Sequence, residues 1–401
     1  MSIMVLNSGS SSLKFKIFEE GTLDEEAAGV IERIGLPSAT IRYRTRYLTT
    51  EYKKYIPDHE TGLMEALSLL TDENSGLLKD ISGITAVGHR VLHGGDRFTK
   101  SVLIDNDVIG AIEECIPFGP LHNPANLLGI RACLDMLPGV PQTAVFDTAF
   151  HATVPVYANT FAIPYEYSEK YKIHKFGFHG TSHRYVALKA AEMTGRKDLR
   201  IISCHLGNGC SMAAVKGGVS LDTTMGLTPL DGLMMGTRSG SVDPSVLQLL
   251  CDRESLSIDG VIKMLNNQSG LFGVSGVSGD FRHVMEASES GNKRARLALE
   301  MFNYRIRTTI GAYSAVLGGV DAIAFTGGIG ENSCVCRTEV LSGLEYLGIK
   351  LDKESNENNI GGQRFINSED SKVLVMVIPA NEELMIAMDT DELTRDLTTK
   401  Q

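Results

Sequence analysis

Near the start of the chain the apolar run Met4-Val5-Leu6 meets a polar cluster, Asn7-Ser8-Gly9-Ser10-Ser11-Ser12. Leu13, Phe15 and Ile17 then alternate with Lys14 and Lys16. An apolar run, a Gly/Asn/Ser cluster and a period-two alternation predict strand, turn and half-buried strand. The same arrangement returns half a chain later. Ile201 to Leu206 leads through Gly207-Asn208-Gly209 into Ser211, Met212 and Val215. A repeated strand–turn–strand unit predicts two related α/β domains facing one another across a cleft.

Other segments fit that plan. Asn123-Pro124 offers a helix cap and a proline at the first helical position. Leu127, Ile130, Leu134 and Leu137 recur at helical spacing until Pro138-Gly139. Ser182 to Met193 predicts a second helix, ended by Thr194-Gly195. Ala144-Val145-Phe146 predicts a short buried strand delivering Asp147 at its C-terminal end, where open α/β sheets place their chemistry. Val373 to Ile378 is apolar throughout, as a strand buried on both faces should be. Strands alternating with helices make the fold class α/β. The boundary falls near residue 150.

Composition narrows the function. The chain has 401 residues, 43% of them hydrophobic and 22% charged, as a folded protein of two domains, or of one large one, would. No stretch approaches the ~18 apolar residues of a membrane helix, and the N-terminus lacks the basic region of a signal peptide. Seven irregularly spaced cysteines suit reduced thiols in a cytoplasm. A net charge of −11 without a basic stripe argues against nucleic acid as a partner. An anionic substrate therefore needs a local cluster of Arg, Lys and backbone N–H groups.

Three turns rich in Gly, Ser and Asn follow predicted strands: Asn7 to Ser12, His205 to Ser211, and Thr326 to Asn332. Consecutive N–H groups in such turns make anion-binding concavities, and three of them favour nucleotide phosphates. The Walker pattern G-x-x-x-x-G-K-[ST] is absent, which excludes a P-loop enzyme. Arg90 and Arg238 both lie beside glycines, which clear room for a ligand on a planar guanidinium fork. Either alone reads equally as a surface arginine near a turn. His89/His93 and His179/His183 have the i,i+4 spacing of zinc ligands but lack the Glu of H-E-x-x-H, so zinc is disfavoured. Asn381-Glu382-Glu383 reads as a helix cap with a first-turn carboxylate, or as a carboxylate holding Mg²⁺.

The strings NSGSSSLKF, GHRVLHGG, PLHNP, VFDTAFH, FGFHGTSHRYV, HLGNG, DTTMGLTPLDGLMMGTRSG, FTGGIGEN and IPANEEL run in order from residue 3 to about 390. In that order they resemble the acetate kinase family, with propionate kinases the nearest relatives. The resemblance implies two domains of duplicated actin-like (ribonuclease H-like) topology with an interdomain active-site cleft. Residues 1–150, completed by a C-terminal helix at about 380–401, would form one domain, and 151–379 the nucleotide-binding one. It implies Mg²⁺-dependent transfer of the γ-phosphoryl group of ATP to acetate, with Mn²⁺ as a possible substitute, in a cytoplasmic homodimer.

The same resemblance assigns residues. Asn7 and Glu382 would serve the metal. Lys14, His205, Leu206, Gly207, Asn208, Gly209, Gly328, Ile329, Gly330, Glu331 and Asn332 would bind ATP, with Asp280, Phe281 and Arg282 at its adenosine end. Arg90 would hold the acetate carboxylate, and Leu92, Leu121, His122, Phe178 and Pro229 would line its pocket. Asp147 would act as acid, base or orienting group, and His179 and Arg238 would stabilise the phosphoryl group in flight. Cys210, Ser241 and Leu92 depart from the family pattern, and Leu92 in place of Val should favour acetate over propionate. A rival class, an actin- or Hsp70-like ATPase, would share the phosphate turns but has no need of a carboxylate clamp.

Overall fold

The computed structural model describes residues 1–74, 76–120, 122–358 and 361–398. Met1–Phe150 with the segment from Asn381 onward form one compact unit, and His151–Ala380 form the other.

The first unit is built on eight strands: β1 (Ser2–Gly9), β2 (Ser12–Glu19), β3 (Glu25–Glu32), β4 (Ala39–Thr45), β5 (Thr49–Lys54), β6 (Ile84–Val91), β7 (Val102–Leu103) and β8 (Gln142–Phe146). They lie in the order β5-β4-β3-β2-β1-β6-β8-β7. β1 runs antiparallel to β2 but parallel to β6, and β6 is parallel to β8. The predicted alternation holds in β2. Leu13, Phe15 and Ile17 are buried, while Lys14 is exposed.

Each face of this sheet has its own helices. On one, Leu13, Phe15 and Ile17 pack with Leu63 and Ala66 of the helix His59–Leu70 and with Ala132 and Cys133 of the helix Asn123–Met136. On the other, Ile386 and Ala387 of the final helix Glu382–Thr398 pack with Ile3, Val5, Ala86 and Val145. Burying such side chains stabilises the fold by about 25 cal/mol per Å² of apolar surface. The final helix presses on β6 so closely that a methyl group on Gly88 would lie 2.4 Å from Thr390 Oγ1 and 2.6 Å from Ile386 Cγ2.

Three expectations need correcting. Asn7 to Gly9 belong to β1 and pair with β2, because the connecting turn is only Ser10-Ser11. Asn123 does not cap its helix. Its buried amide instead donates to the carbonyls of His93 and Ile112. Leu134 is 38% exposed, and Cys133 takes its place in the core.

The second unit repeats the plan. Its strands are β9 (Arg200–Leu206), β10 (Cys210–Lys216), β11 (Val219–Thr223), β12 (Ala322–Thr326), β13 (Arg364–Phe365) and β14 (Leu374–Val377), ordered β11-β10-β9-β12-β14-β13. β9 is antiparallel to β10 and parallel to β12, and β12 is parallel to β14. Three antiparallel strands followed by two parallel ones is the order β3-β2-β1-β6-β8 of the first unit, so the topology is duplicated. The predicted helix after residue 180 spans Gly180–Thr194 and packs on β9. Gly195 ends it in the left-handed conformation, at φ 67°.

Candidate active site

Parallel pairing of β9 and β12, with His205 opposite Thr326, ends both strands at one level. The turn Gly207-Asn208-Gly209 and the short helix Gly327–Asn332 therefore lie side by side. A methyl group on Gly207 would sit 3.9 Å from both the Gly328 amide nitrogen and His205 Nε2. Next to them opens a cavity of about 760 Å³, lined by Gly207, Asn208, Asp280, Phe281, Arg282, Gly328, Ile329 and Asn332 among others. That volume accommodates a nucleoside-sized ligand. Asp280 is held at its rim by capping the helix Phe281–Glu289 and pairing with Arg282 at 2.6 Å. The Arg282 guanidinium pulls its carboxyl down to about 2.

Leu206, Gly330 and Glu331 are turned to other tasks. Leu206 is fully buried, and the Gly330 carbonyl accepts from the buried Arg337 at 2.8 Å. The Glu331 carboxylate accepts from the Gly327 N–H and the Ala380 N–H, both at 2.9 Å. It clamps the turn rather than facing the cavity. The Cys210 thiol donates to the Gly207 carbonyl at 3.1 Å, and Ser241 Oγ donates to Asp231 at 2.5 Å. Both side chains thus tie together the loops that carry the candidate site.

His179 and Arg238 converge on the first turn. A methyl group on Gly209 would lie 3.4 and 3.5 Å from His179 Cε1 and Nε2, and 3.7 Å from Arg238 Nη1. His179 reaches this position through a left-handed backbone, φ 55° and ψ 25°, unusual for a non-glycine residue and common at functional sites. Arg238 Nη1 donates to the Pro229 carbonyl at 3.1 Å and meets no carboxylate among the described residues. Burial lowers its pKa from the ordinary value. A largely desolvated guanidinium without a counter-charge is costly and invites an anion.

The first unit assembles the opposite charge. Arg90 donates through Nε and Nη2 to Asp147 at 3.1 and 2.7 Å, and its Nη1 meets Glu382 at 3.1 Å. Asp147 is fully buried. Burial pushes the Glu382 carboxyl up to about 7; Arg90 pulls it down, and Asp147 and Glu383 push it further up. Asn7 and Lys14 are direct cross-strand partners, so both side chains stand on one face of the sheet. Lys14 draws the Glu382 pKa downward. Asn381 does cap the final helix, its Oδ1 accepting from the Leu384 N–H at 3.2 Å.

Asp147, Glu382 and Glu383 stand against Arg90, Lys14 and Lys16, the last 3.7 Å from Glu383, and the oxygen donors among them suit a hard divalent cation. No group of three His, Cys, Asp or Glu side chains converges among the described residues. The Asn7 amide oxygen and the Glu382 carboxylate are donors of the type that hard divalent cations take. Of the predicted acetate-pocket residues, Leu92 and His122 belong to the first unit and Phe178 and Pro229 to the second, and Leu121 lies outside the described residues. The Leu92 backbone N–H is tied to Asn126, whose amide also holds the Ser8 carbonyl.

The histidines of the two i,i+4 pairs bond to protein groups. His89 bonds Gln142 at 2.8 Å, and His93 Nδ1 accepts from the Gly95 N–H. His179 and His183 both bond Ser211. His89 and His151 are buried with pKa values lowered to about 4, and His183 lies well below its usual range, burial being the main cause each time. All three stay neutral when folded but take up a proton near pH 6.5 when unfolded. Their stabilisation is present above pH 6.5 and fades as pH falls towards 4, by about 1.4 kcal/mol per unit for each histidine. Urea titrations should show stability falling steeply from pH 6.5 to 5, and a flat profile there would contradict this burial.

The family model for the acetokinase family matches residues 2–388. An acetate kinase from Thermoanaerobacterium thermosaccharolyticum is 52% identical over 99% of this chain and 100% of its own. One from Thermotoga maritima is 51% identical over 99% of this chain and 100% of its own. The crystal structure of Porphyromonas gingivalis acetate kinase superposes with a TM-score of 0.92 at 46% identity, covering 98% of this chain and 99% of that one. A propionate kinase from Francisella tularensis gives 0.91 at 43% identity, covering 98% and 99%.

Proposed function

This chain belongs to the acetokinase family, and from that premise we propose that it moves a phosphoryl group reversibly between ATP and acetate, giving ADP and acetyl phosphate. The observation that carries the reading is Arg238, a desolvated cation without a carboxylate, set with His179 against a glycine-rich turn beside a nucleoside-sized cavity.

Acetate is already a nucleophile, so no strong base is needed. The bond from its oxygen to phosphorus forms as the bond from phosphorus to the β,γ-bridging oxygen breaks. The residues' task is to position two anions and stabilise a loose, metaphosphate-like transition state. Gly207, Asn208 and Gly328 present backbone groups to the phosphates, and Asp280, Phe281 and Arg282 border the adenosine end. Arg238 and His179 donate to the equatorial phosphoryl oxygens. Arg90, oriented by Asp147 at Nε and Nη2, takes the acetate carboxylate at the Nη1 edge that it shares with Glu382. Asp147 therefore acts by orienting Arg90 rather than by moving a proton. Asn7 and Glu382 would hold Mg²⁺, or Mn²⁺ in its place, which when bound neutralises phosphate charge.

No helix of the described residues is long and apolar enough to cross a membrane. A homodimer is supported by exposed Tyr157, Tyr165, Tyr167 and Tyr171 on the second unit. The full chain with ATP, Mg²⁺ and acetate should form an acyl phosphate that hydroxylamine traps, with a higher kcat/KM for acetate than for propionate. Chelating the metal should abolish it. Phosphate release independent of acetate would point instead to an ATPase.

A further inference from the structure

His179 does not stand alone in the second unit. Its Nδ1 lies 2.9 Å from Ser211 Oγ, and the same hydroxyl lies 2.7 Å from His183 Nε2. His183 Nδ1 in turn lies 2.8 Å from Ser203 Oγ. Ser203, Ser211 and His183 are each 0% exposed. The fold imposes this line. His179 and His183 are one helical turn apart at the start of Gly180–Thr194. Ser211 pairs with His205 across β9 and β10, which puts Ser203, His205 and Ser211 on one face of the sheet.

The hydroxyl has a single proton, and that decides its logic. Ser211 can donate to one histidine and must accept from the other. His183, kept neutral by its burial, has one N–H and one bare nitrogen, so two arrangements exist. In the first, His183 Nε2–H donates to Ser211, and Ser211 donates to His179 Nδ1. His179 is then a neutral imidazole with its proton on Nε2. In the second, the chain is reversed. Ser211 donates to His183 Nε2, and His179 Nδ1–H donates to Ser211, which allows a His179 imidazolium with a second N–H on Nε2. Nε2 is the nitrogen beside Gly209 and the phosphate turn. By reversing one row of hydrogen bonds, the relay keeps an N–H there whether His179 is neutral or charged.

We propose that Ser211 and His183 are positioning residues that hold the His179 Nε2–H towards the transferring phosphoryl group. This rests on the reading above that His179 donates to that group. Without the Ser211 hydroxyl, His179 Nδ1 loses this hydrogen bond, and the ring is less constrained in its orientation and in which nitrogen carries its proton.

Kinetics of the full chain test this by a double-mutant cycle. Ser211→Ala should lower kcat about 10-fold or more, with KM for ATP and acetate within about 2-fold of wild type. In a His179→Ala background the same change should cost nothing further. An equal cost in both backgrounds would mean that Ser211 acts on the fold and not through His179, and would overturn the relay. If His179→Ala alone leaves kcat intact, the reading of His179 itself fails, a separate outcome. Should Ser211→Ala not fold, long-range ¹H–¹⁵N spectra of the wild-type chain decide. The relay requires a neutral His183 that does not titrate between pH 6 and 8 and an Nε2–H on His179. A titrating His183, or a His179 with only Nδ1 protonated, would overturn it.

Discussion

Arg238→Ala should lower kcat by about 10²–10³ while leaving the protein folded, since removing one positioned donor to the transition state commonly costs that much. The stability half of this expectation follows from the missing counter-charge. Arg238 gives its Nη1 to a carbonyl and meets no carboxylate among the described residues, so deleting it strands no buried anion. The melting temperature should be unchanged or slightly higher. Arg238→Lys keeps the charge but loses the planar fork and should recover only part of the rate. Steady-state turnover at saturating ATP and acetate, alongside thermal unfolding, checks both halves. Near-normal turnover would remove Arg238 from the mechanism.

Arg90→Ala should behave in the opposite way. Here the guanidinium is the shared partner of Asp147 and Glu382, and its loss leaves a fully buried carboxylate unpaired. Breaking such a pair costs about 3–5 kcal/mol. The variant should therefore unfold at distinctly lower denaturant, and its kcat/KM for acetate should fall by about 10²-fold. Asp147→Asn in the same chain should return part of the stability but not the acetate kinetics. An Arg90→Ala protein as stable as wild type would disprove the charge balance proposed for this corner.

The contrast between these arginines marks the limit of what residue order reveals. Both sit among glycines in the chain, and both read as anion clamps. Their difference lies in partners 57 and 292 residues away from Arg90, Asp147 and Glu382, which only the parallel pairing of β6 with β8 and the return of the final helix bring close. Local patterns were more legible. The alternation Leu13, Phe15, Ile17 predicts β2, and Gly195 predicts the end of its helix, because period and left-handed backbone are properties of a few neighbouring residues.

Where the pattern misleads, the cause is again remote. Asn7 looks like a turn residue by type, yet it stays in β1 because Lys14 pairs with it across a two-residue turn. His179 and His183 look like a metal pair by spacing, but their partner is a serine on a neighbouring strand. Glu331 sits inside a phosphate-turn motif, while its carboxylate serves the Gly327 and Ala380 amides. Spacing showed that residues 179 and 183 share a helix face; which chemistry they share depended on Ser211.

The final helix carries a consequence for how the molecule is made. Its Ile386 and Ala387 complete the apolar layer that Ile3, Val5, Ala86 and Val145 begin, and Gly88 leaves room for it to the nearest ångström. On the ribosome, the first 150 residues emerge long before that helix exists, so one side of their sheet stays uncovered while the whole second unit is synthesised. The second unit has its complete sheet in hand earlier, although it starts later. The order of birth and the order of completion are thus reversed, and a helix made after the whole second unit closes the core that β1 opens.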